Sequence, residues 1–153
     1  MNARIEAGKA APAIYRAMLG LEKEIMNSGL EHQLIHLLKL RASQVNGCAY
    51  CIDMHWKDLR AIGESEQRLY MLDAWREAPF YTDRERAALA WTEAVTLVTH
   101  GHVPDEVFGE VRLQFTDEEI VKLTWAVAAI NTWNRLAISL RAEAGSYTAA
   151  ATA

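Results

Sequence analysis

Near its middle the chain reads Asn46-Gly47-Cys48-Ala49-Tyr50-Cys51-Ile52-Asp53-Met54-His55. Asparagine followed by glycine is a strong turn signal, so one helix is predicted to end here and another to start near Cys48. On that second helix Cys48, Cys51 and His55 occupy positions i, i+3 and i+7, which form one stripe of the helix surface. The two sulfurs are therefore predicted to lie close together, with His55 one turn beyond Cys51.

This arrangement supplies what a redox-active thiol site needs. The nucleophile is the thiolate, whereas a free cysteine is mostly protonated near neutral pH. The unpaired N–H groups at a helix start, the imidazole of His55 and the second thiol can each favour the thiolate. Once a peroxide has oxidised one sulfur to a sulfenic acid, the other can condense with it to give a disulfide.

On both sides of this segment, apolar residues recur at helical spacing. The four helices predicted before Pro79 begin at Pro12, at Leu30, near Cys48 and before Leu69, and the fourth carries Leu69, Leu72 and Trp75. The first is expected to end at Ser28-Gly29, the second at Asn46-Gly47 and the third at Gly63.

Two capping boxes mark later helix starts, Thr82 with Glu85 and Thr116 with Glu119. These helices are predicted to reach about Val98 and Leu140, with a short helix over Pro104–Phe115 between them. No segment has a convincing strand pattern. The predicted fold is an all-α, single-domain bundle of about six to seven helices over residues 1–145, followed by a flexible tail at 146–153.

The last predicted helix is apolar on every side over residues 125–130. A helix of this kind requires burial all round. Either it is a central core helix, or part of its surface is covered by another subunit, and the sequence does not favour one over the other.

Composition narrows the function classes. The chain has 153 residues, with 16 basic and 20 acidic side chains and a formal net charge of -4. Because the charges are spread along the chain, no surface suited to nucleic acid is expected. The N-terminus lacks the apolar stretch of a signal peptide, and no apolar run has membrane-spanning length. We therefore expect a soluble cytoplasmic protein that binds neither membranes nor nucleic acid.

The cysteine pair could also serve other purposes. As a structural disulfide it would close almost no loop, and the strands of a thioredoxin domain are missing. Haem attachment needs histidine directly after the second cysteine, where Ile52 stands. Two buried apolar cysteines are also possible, but the aligned histidine favours redox chemistry. A zinc site would add to Cys48, Cys51 and His55 a carboxylate or one of His32, His36, His100 and His102. We expect no cofactor and no metal.

The longer run Leu38-Lys39-Leu40-Arg41-Ala42-Ser43-Gln44-Val45, continuing through Asn46 to His55, closely resembles the carboxymuconolactone decarboxylase superfamily. The resemblance is to its alkylhydroperoxidase-D-like branch, which is marked by Cys-x-x-Cys-x-x-x-His. Two further segments look like that branch, Trp75-Arg76-Glu77-Ala78-Pro79 and Trp133-Asn134-Arg135-Leu136.

The resemblance implies an all-α fold that assembles as homo-trimers or homo-hexamers, and a thiol peroxidase or disulfide reductase active in antioxidant defence. It implies that peroxide attacks Cys51, that Cys48 resolves the product, and that His55 belongs to a proton relay. The partners would be a peroxide substrate and a thiol or protein reductant. Alternatives are a non-catalytic oligomeric redox sensor or binding protein, and a lactone decarboxylase, although decarboxylase members lack the cysteine pair.

One position departs from the family pattern. Twelve residues before the first cysteine, where family peroxidases usually have a glutamate that feeds the relay, this chain has His36. A neutral histidine can also accept a proton near pH 7. On its helix His36 falls on the polar side with His32 and Ser43, so it either lines the site as a catalytic residue or faces water.

Overall fold

The computed structural model describes residues 2–149, and this part of the chain is all-helical, with no β-strand. The eight α-helices are α1 (Ala7–Ala10), α2 (Pro12–Met26), α3 (His32–Asn46), α4 (Ala49–Ala61), α5 (Glu66–Tyr70), α6 (Asp83–Thr96), α7 (Asp105–Gln114) and α8 (Asp117–Leu140). A 3-10 helix, Leu72–Ala74, follows α5. The predicted all-α class is confirmed, and the short α1 brings the helix count above the six to seven expected.

Local signals in the sequence place most helix ends. Both capping boxes are present, with Thr82 and Thr116 each accepting a hydrogen bond from the backbone N–H three residues on. Pro12 occupies the first turn of α2. Gly47 ends α3 in the left-handed conformation, with φ of 69°, a region that favours glycine because it has no Cβ.

The segment before Pro79 differs from the prediction of one continuous helix. It divides into α5 and the 3-10 helix, although Leu69, Leu72 and Trp75 are all buried. Their spacing of three residues also matches the three residues per turn of a 3-10 helix. Bonds to distant residues favour this shorter form: Trp75 Nε1 donates to Glu93, 2.7 Å away.

Helix α3 lies at the centre of the molecule and packs against α4, α6 and α8. Its leucines are buried, but so are Lys39 and also Ser43, which lies on the side that the sequence suggested was polar. His36 is half-buried between these surfaces. Because α3 has neighbours on nearly every side, its polar residues face other helices and a cavity rather than bulk water.

Helix α8 is buried along one face and exposed along the other. Leu123, Ala126, Val127 and Ile130 belong to the core, whereas Val121 is 55% exposed and Trp125 is 56% exposed. A single chain therefore covers only part of its apolar surface. Although α8 has 24 residues, no helix among the described residues is long and apolar enough to cross a membrane.

The segment that follows α8 approaches α4. The Tyr147 hydroxyl donates to Asp58 Oδ1 at 2.6 Å, and Lys57 Nζ donates to the carbonyl of Tyr147 at 2.9 Å. The flexible tail expected at 146–153 stays a prediction, since residues 150–153 lie outside the described part of the chain.

Substitution of two glycines should separate the effect of backbone conformation on stability from the effect of packing. An added Cβ would meet no atom within 4 Å at either Gly47 or Gly20. Gly47→Ala should destabilise the protein by about 1–2 kcal/mol, the cost of a left-handed L-residue. Gly20→Ala, within α2, should instead stabilise it by up to about 1 kcal/mol. Chemical denaturation measures both, and equal effects would contradict the assigned backbone.

Candidate active site

The two cysteines sit at the start of α4. Cys48 is the N-cap residue, in extended conformation, and its N–H donates to the carbonyl of Ser43 at 2.9 Å across the Gly47 turn. Cys51 lies in the first helical turn. The two Sγ atoms are 2.6 Å apart and share a hydrogen bond, and both residues are buried free cysteines. The predicted proximity of the sulfurs is therefore present in the structure.

A buried polar network from α8 supports this pair. Asn134 donates to Ser43 Oγ at 3.0 Å and accepts from Asn46 Nδ2 at 2.8 Å. The Asn134 amide also acts on both cysteines, where its hydrogen bonding favours the thiolate and works to lower the pKa. Asn134 thus connects the end of α3, the first turn of α4 and the middle of α8. Since it is fully buried, each of these bonds replaces one that water would otherwise make.

The thiol pair ionises in two separated steps. A hydrogen bond from the Cys51 thiol lowers the pKa of Cys48 to about 7, and burial opposes this effect. The same hydrogen bond, together with burial and the Cys48 charge, raises the pKa of Cys51. One proton is therefore lost near neutral pH while the second is retained between the sulfurs.

Two histidines and a carboxylate lie beside the pair. His55, on α4, places its Nδ1 3.4 Å from Nδ1 of His36, on α3. Asp58 Oδ2 lies 3.8 Å from each of these nitrogens. Nε2 of His55 is buried and has no hydrogen-bond partner among the described residues. The three side chains form a compact triangle of potential proton carriers or metal ligands.

Both imidazoles are neutral at pH 7. Burial lowers the pKa of His36, and the Asp58 carboxylate offsets part of this effect. Burial also depresses the pKa of His55 well below its usual range, helped by the Lys39 ammonium and by His36. Each neutral ring has one nitrogen that can accept a proton and one that can donate.

These groups open onto a cavity of about 780 Å³. Cys51, His36, His55 and Asp58 line it, whereas Cys48 does not. The rest of the wall is largely apolar and aromatic, and includes Tyr15, Leu19, Met26, Tyr50, Met54, Trp133, Leu136, Ala137 and Leu140. A molecule bound there would therefore meet Cys51 before Cys48.

An ion pair and the N-terminal segment complete the cavity wall. The buried ammonium of Lys39 contacts Glu22, whose other carboxylate oxygen accepts from Trp133 Nε1 at 2.9 Å. Residues 3 and 5–9 form one side of the cavity. Arg4 holds this segment to the end of α8 by donating its backbone N–H to the carbonyl of Leu140 at 2.8 Å.

The structure brings together all four residues singled out by the sequence, Cys48, Cys51, His55 and His36. Four others were missed: Glu22, Lys39, Asp58 and Asn134. Asp58 is one helical turn after His55, so helical spacing could have found it. Glu22 and Asn134 come from helices far away in sequence, and nothing in the local pattern indicates their approach.

The possible metal ligands in the structure overlap only in part with those of the zinc site that the sequence suggested. Among the described residues, the side chains grouped closely enough to share an ion are His36, His55 and Asp58. Neither cysteine belongs to that group.

Comparison with known sequences identifies the protein's relatives. The model of the carboxymuconolactone decarboxylase family matches residues 12–94, which include the cysteine pair and both site histidines. This chain belongs to the carboxymuconolactone decarboxylase family. Within the curated proteins it is 41% identical over 146 residues to YdfG of Bacillus subtilis, an uncharacterised protein, covering 95% of this chain and 99% of YdfG.

The fold of this family member is similar to solved structures of AhpD-like proteins. A protein of unknown function from Agrobacterium tumefaciens, suggested to be an antioxidant defence protein of the AhpD type, is 49% identical, with a TM-score of 0.92 over 95% of this chain and 100% of that one. An uncharacterised peroxidase-related protein from Ralstonia eutropha with an AhpD core shares the fold at 22% identity, with a TM-score of 0.81 over 92% and 75% of the two chains.

The thiol pair should show a single ionisation near neutral pH. Because the thiolate fraction rises as pH passes the pKa of Cys48, about 7, the ultraviolet absorbance of the thiolate should rise with a midpoint there. Asn134→Ala should raise the midpoint by about one pH unit, since a hydrogen bond to a charged group contributes about 1.5 kcal/mol. Asn131→Ala, which removes a neighbouring amide in the network, is the matched control. Identical midpoints in all three proteins would exclude Asn134 from thiolate stabilisation.

Proposed function

We propose that this protein is a thiol-dependent peroxidase that reduces organic hydroperoxides through Cys51 and Cys48. One observation supports this most directly: two free sulfurs lie 2.6 Å apart, and one of them lines a large apolar cavity together with His55. The AhpD-like neighbours agree with a role in peroxide chemistry. The apolar wall suits a hydroperoxide that carries a hydrocarbon or aromatic group.

In the first step, the sulfur of Cys51 attacks the terminal oxygen of the hydroperoxide. The O–O bond breaks, the sulfur is oxidised to a sulfenic acid, and the alkoxide takes a proton and leaves as an alcohol. Ionisation alone would favour Cys48 as the nucleophile, because its pKa is the lower of the two. Access favours Cys51, which lines the cavity. A proton passing from Cys51 to Cys48 or His55 as the substrate binds would supply the Cys51 thiolate.

In the second step, Cys48 resolves the oxidised sulfur. Its thiolate attacks the sulfenic sulfur, the S–O bond breaks, and the oxygen leaves as water after taking a proton. Cys48 caps α4 and Cys51 lies in its first turn, so the disulfide can form within the start of this one helix. An external dithiol, free or in a protein, then reduces the disulfide by thiol–disulfide exchange and is itself oxidised.

His36, Asp58 and His55 would together move the protons. His36 stands where the resembling peroxidases have a glutamate, and Asp58 supplies a carboxylate from α4 instead, 3.8 Å from both rings. The unpartnered Nε2 of His55 is available to accept the thiol proton. Asp58 is a positioning residue in this scheme, since it acts on the reacting sulfur only through the imidazoles.

The cysteine roles can be tested by peroxide consumption with an organic hydroperoxide and dithiothreitol. Cys51→Ser should abolish turnover, because the sulfur that lines the cavity is lost. In the absence of dithiothreitol, which would itself reduce a sulfenic acid, Cys48→Ser should consume one equivalent and then stop, leaving a sulfenic acid on Cys51 that a dimedone adduct reveals by mass spectrometry.

The double variant Cys48→Ser/Cys51→Ser serves as the blank for that experiment. A first oxidation found on Cys48 would reverse the two roles. A wild-type protein that is oxidised once and never regenerated would instead indicate a redox sensor. Decarboxylation of a lactone acid that survives in the double variant would indicate the decarboxylase alternative.

We also propose that the chain forms a homo-oligomer, a trimer or a hexamer, through the exposed face of α8. Val121, Trp125 and Ala128 lie on that face at a spacing of one helical turn and are exposed in the single chain. Exposed apolar residues grouped in this way are typical of subunit interfaces. An interface there would cover the part of α8 that the core leaves open.

Sedimentation equilibrium at micromolar concentration tests this assembly. The wild type should sediment as a trimer or hexamer, and Trp125→Glu should shift it towards monomer because a buried charge at an interface is costly. Leu113→Glu, at a residue of α7 that is 82% exposed, should leave the assembly unchanged. A monomeric wild type would rule out the proposal.

A further inference from the structure

We infer that His36, His55 and Asp58 form a binding site for a divalent transition-metal ion such as Zn²⁺, with an open coordination position towards the cavity. The ligands would be Nδ1 of each histidine and Oδ2 of the aspartate. This site shares no atom with the cysteine pair. Binding of the ion is independent of the proposed peroxidase activity, whereas its effect on turnover rests on that proposal.

The separation of the three atoms fits a metal. Nδ1 of His36 and Nδ1 of His55 are 3.4 Å apart, and each is 3.8 Å from Asp58 Oδ2. Zinc binds nitrogen and oxygen at about 2.0–2.2 Å, which puts neighbouring ligand atoms of a tetrahedron about 3.3–3.6 Å apart. Closing the triangle onto an ion therefore needs movements of only a few tenths of an ångström.

The side chains are prepared to act as ligands. Asp58 accepts a hydrogen bond from Tyr147 on Oδ1, at 2.6 Å, which leaves Oδ2 directed at the two rings. Carboxylate ligands of metals are commonly held by such an outer hydrogen bond. Burial keeps the histidines neutral at pH 7, which is the form that binds metal.

The charges at the site allow a cation. Asp58 contributes one negative charge as a ligand, and the positive charge of Lys39, which acts on both rings, is paired with Glu22. The Lys39 ammonium is directed to Glu22 by their ion pair. Without an ion, the two Nδ1 atoms can share only a single proton at 3.4 Å. The three potential ligand atoms are then connected by one hydrogen bond.

The donor set selects the class of metal. Two imidazoles and one carboxylate suit zinc, iron or cobalt, whereas magnesium and calcium prefer oxygen ligands alone. All three residues line the cavity, so a fourth position is left for water or a bound molecule. A metal on Nδ1 of His55 would leave the ring proton on Nε2, which could then not accept the thiol proton, and metal binding should therefore inhibit the proposed peroxidase.

Cobalt and zinc titrations of Cys48→Ser/Cys51→Ser test the site, because this variant removes sulfur as a ligand and has no peroxidase activity to interpret. We expect one Co²⁺ per chain, with the visible absorption of low-coordinate cobalt, displaced by Zn²⁺. Adding Asp58→Asn or His36→Gln should weaken binding by at least about 10-fold. Tyr147→Phe, which keeps all three ligands, should weaken it by about 10-fold.

A matched control removes the other close histidine pair, His100 and His102, which lies in an exposed turn. His100→Gln/His102→Gln should bind as tightly as its parent. The proposal is overturned if the parent binds no cobalt, if binding persists unchanged after Asp58→Asn and His36→Gln, or if only the His100 and His102 substitutions reduce it. Far-ultraviolet circular dichroism checks that each variant is folded.

Discussion

The turn between α3 and α4 is the constraint on which the site depends. Gly47 takes the left-handed conformation, which lets the N–H of Cys48 bond back to Ser43 and starts α4 at the next residue. Both sulfurs are thereby fixed in one helical turn, against the amide of Asn134. That amide in turn binds Ser43 and Asn46, on the other side of the same turn. In a buried network of this kind each group depends on the others, because a lost partner leaves a polar atom unpaired. The position of α8 and the chemistry of the sulfurs are therefore coupled.

Much of the fold could be predicted from local signals. Thr82 and Thr116 with their glutamates, Pro12, and Asn46-Gly47 each act within a few residues, and the helices begin or end where these signals are found. The prediction of one continuous helix around Leu72 was wrong because the three-residue spacing fits two helix types. Hydrogen bonds to residues distant in sequence, such as that from Trp75 to Glu93, favour one of them. Local sequence does not contain that information.

The site likewise contains residues that local sequence could place and residues that it could not. Helical spacing placed Cys48, Cys51 and His55 on one stripe, and their proximity requires only α4 itself. The environment of His36 could not be read from its helix, because periodicity shows which residues share a face but not what covers it. Ser43 lies on the same apparently polar side and is fully buried. Its partner Asn134 is 91 positions away along the chain, and Lys39 likewise meets Glu22 from another helix.

The N-terminal segment that borders the cavity also affects how fast the site can be reached. It is held to the end of α8 mainly by exposed hydrogen bonds, from Arg4 to Leu140 and from the N–H of Ala3 to Glu143. Contacts of this kind open at a far lower free energy than the helical core. Local opening of this segment would remove one side of the cavity wall. If a bulky molecule enters on that side, its rate of entry depends on local unfolding and not on the reactivity of the sulfur behind the segment.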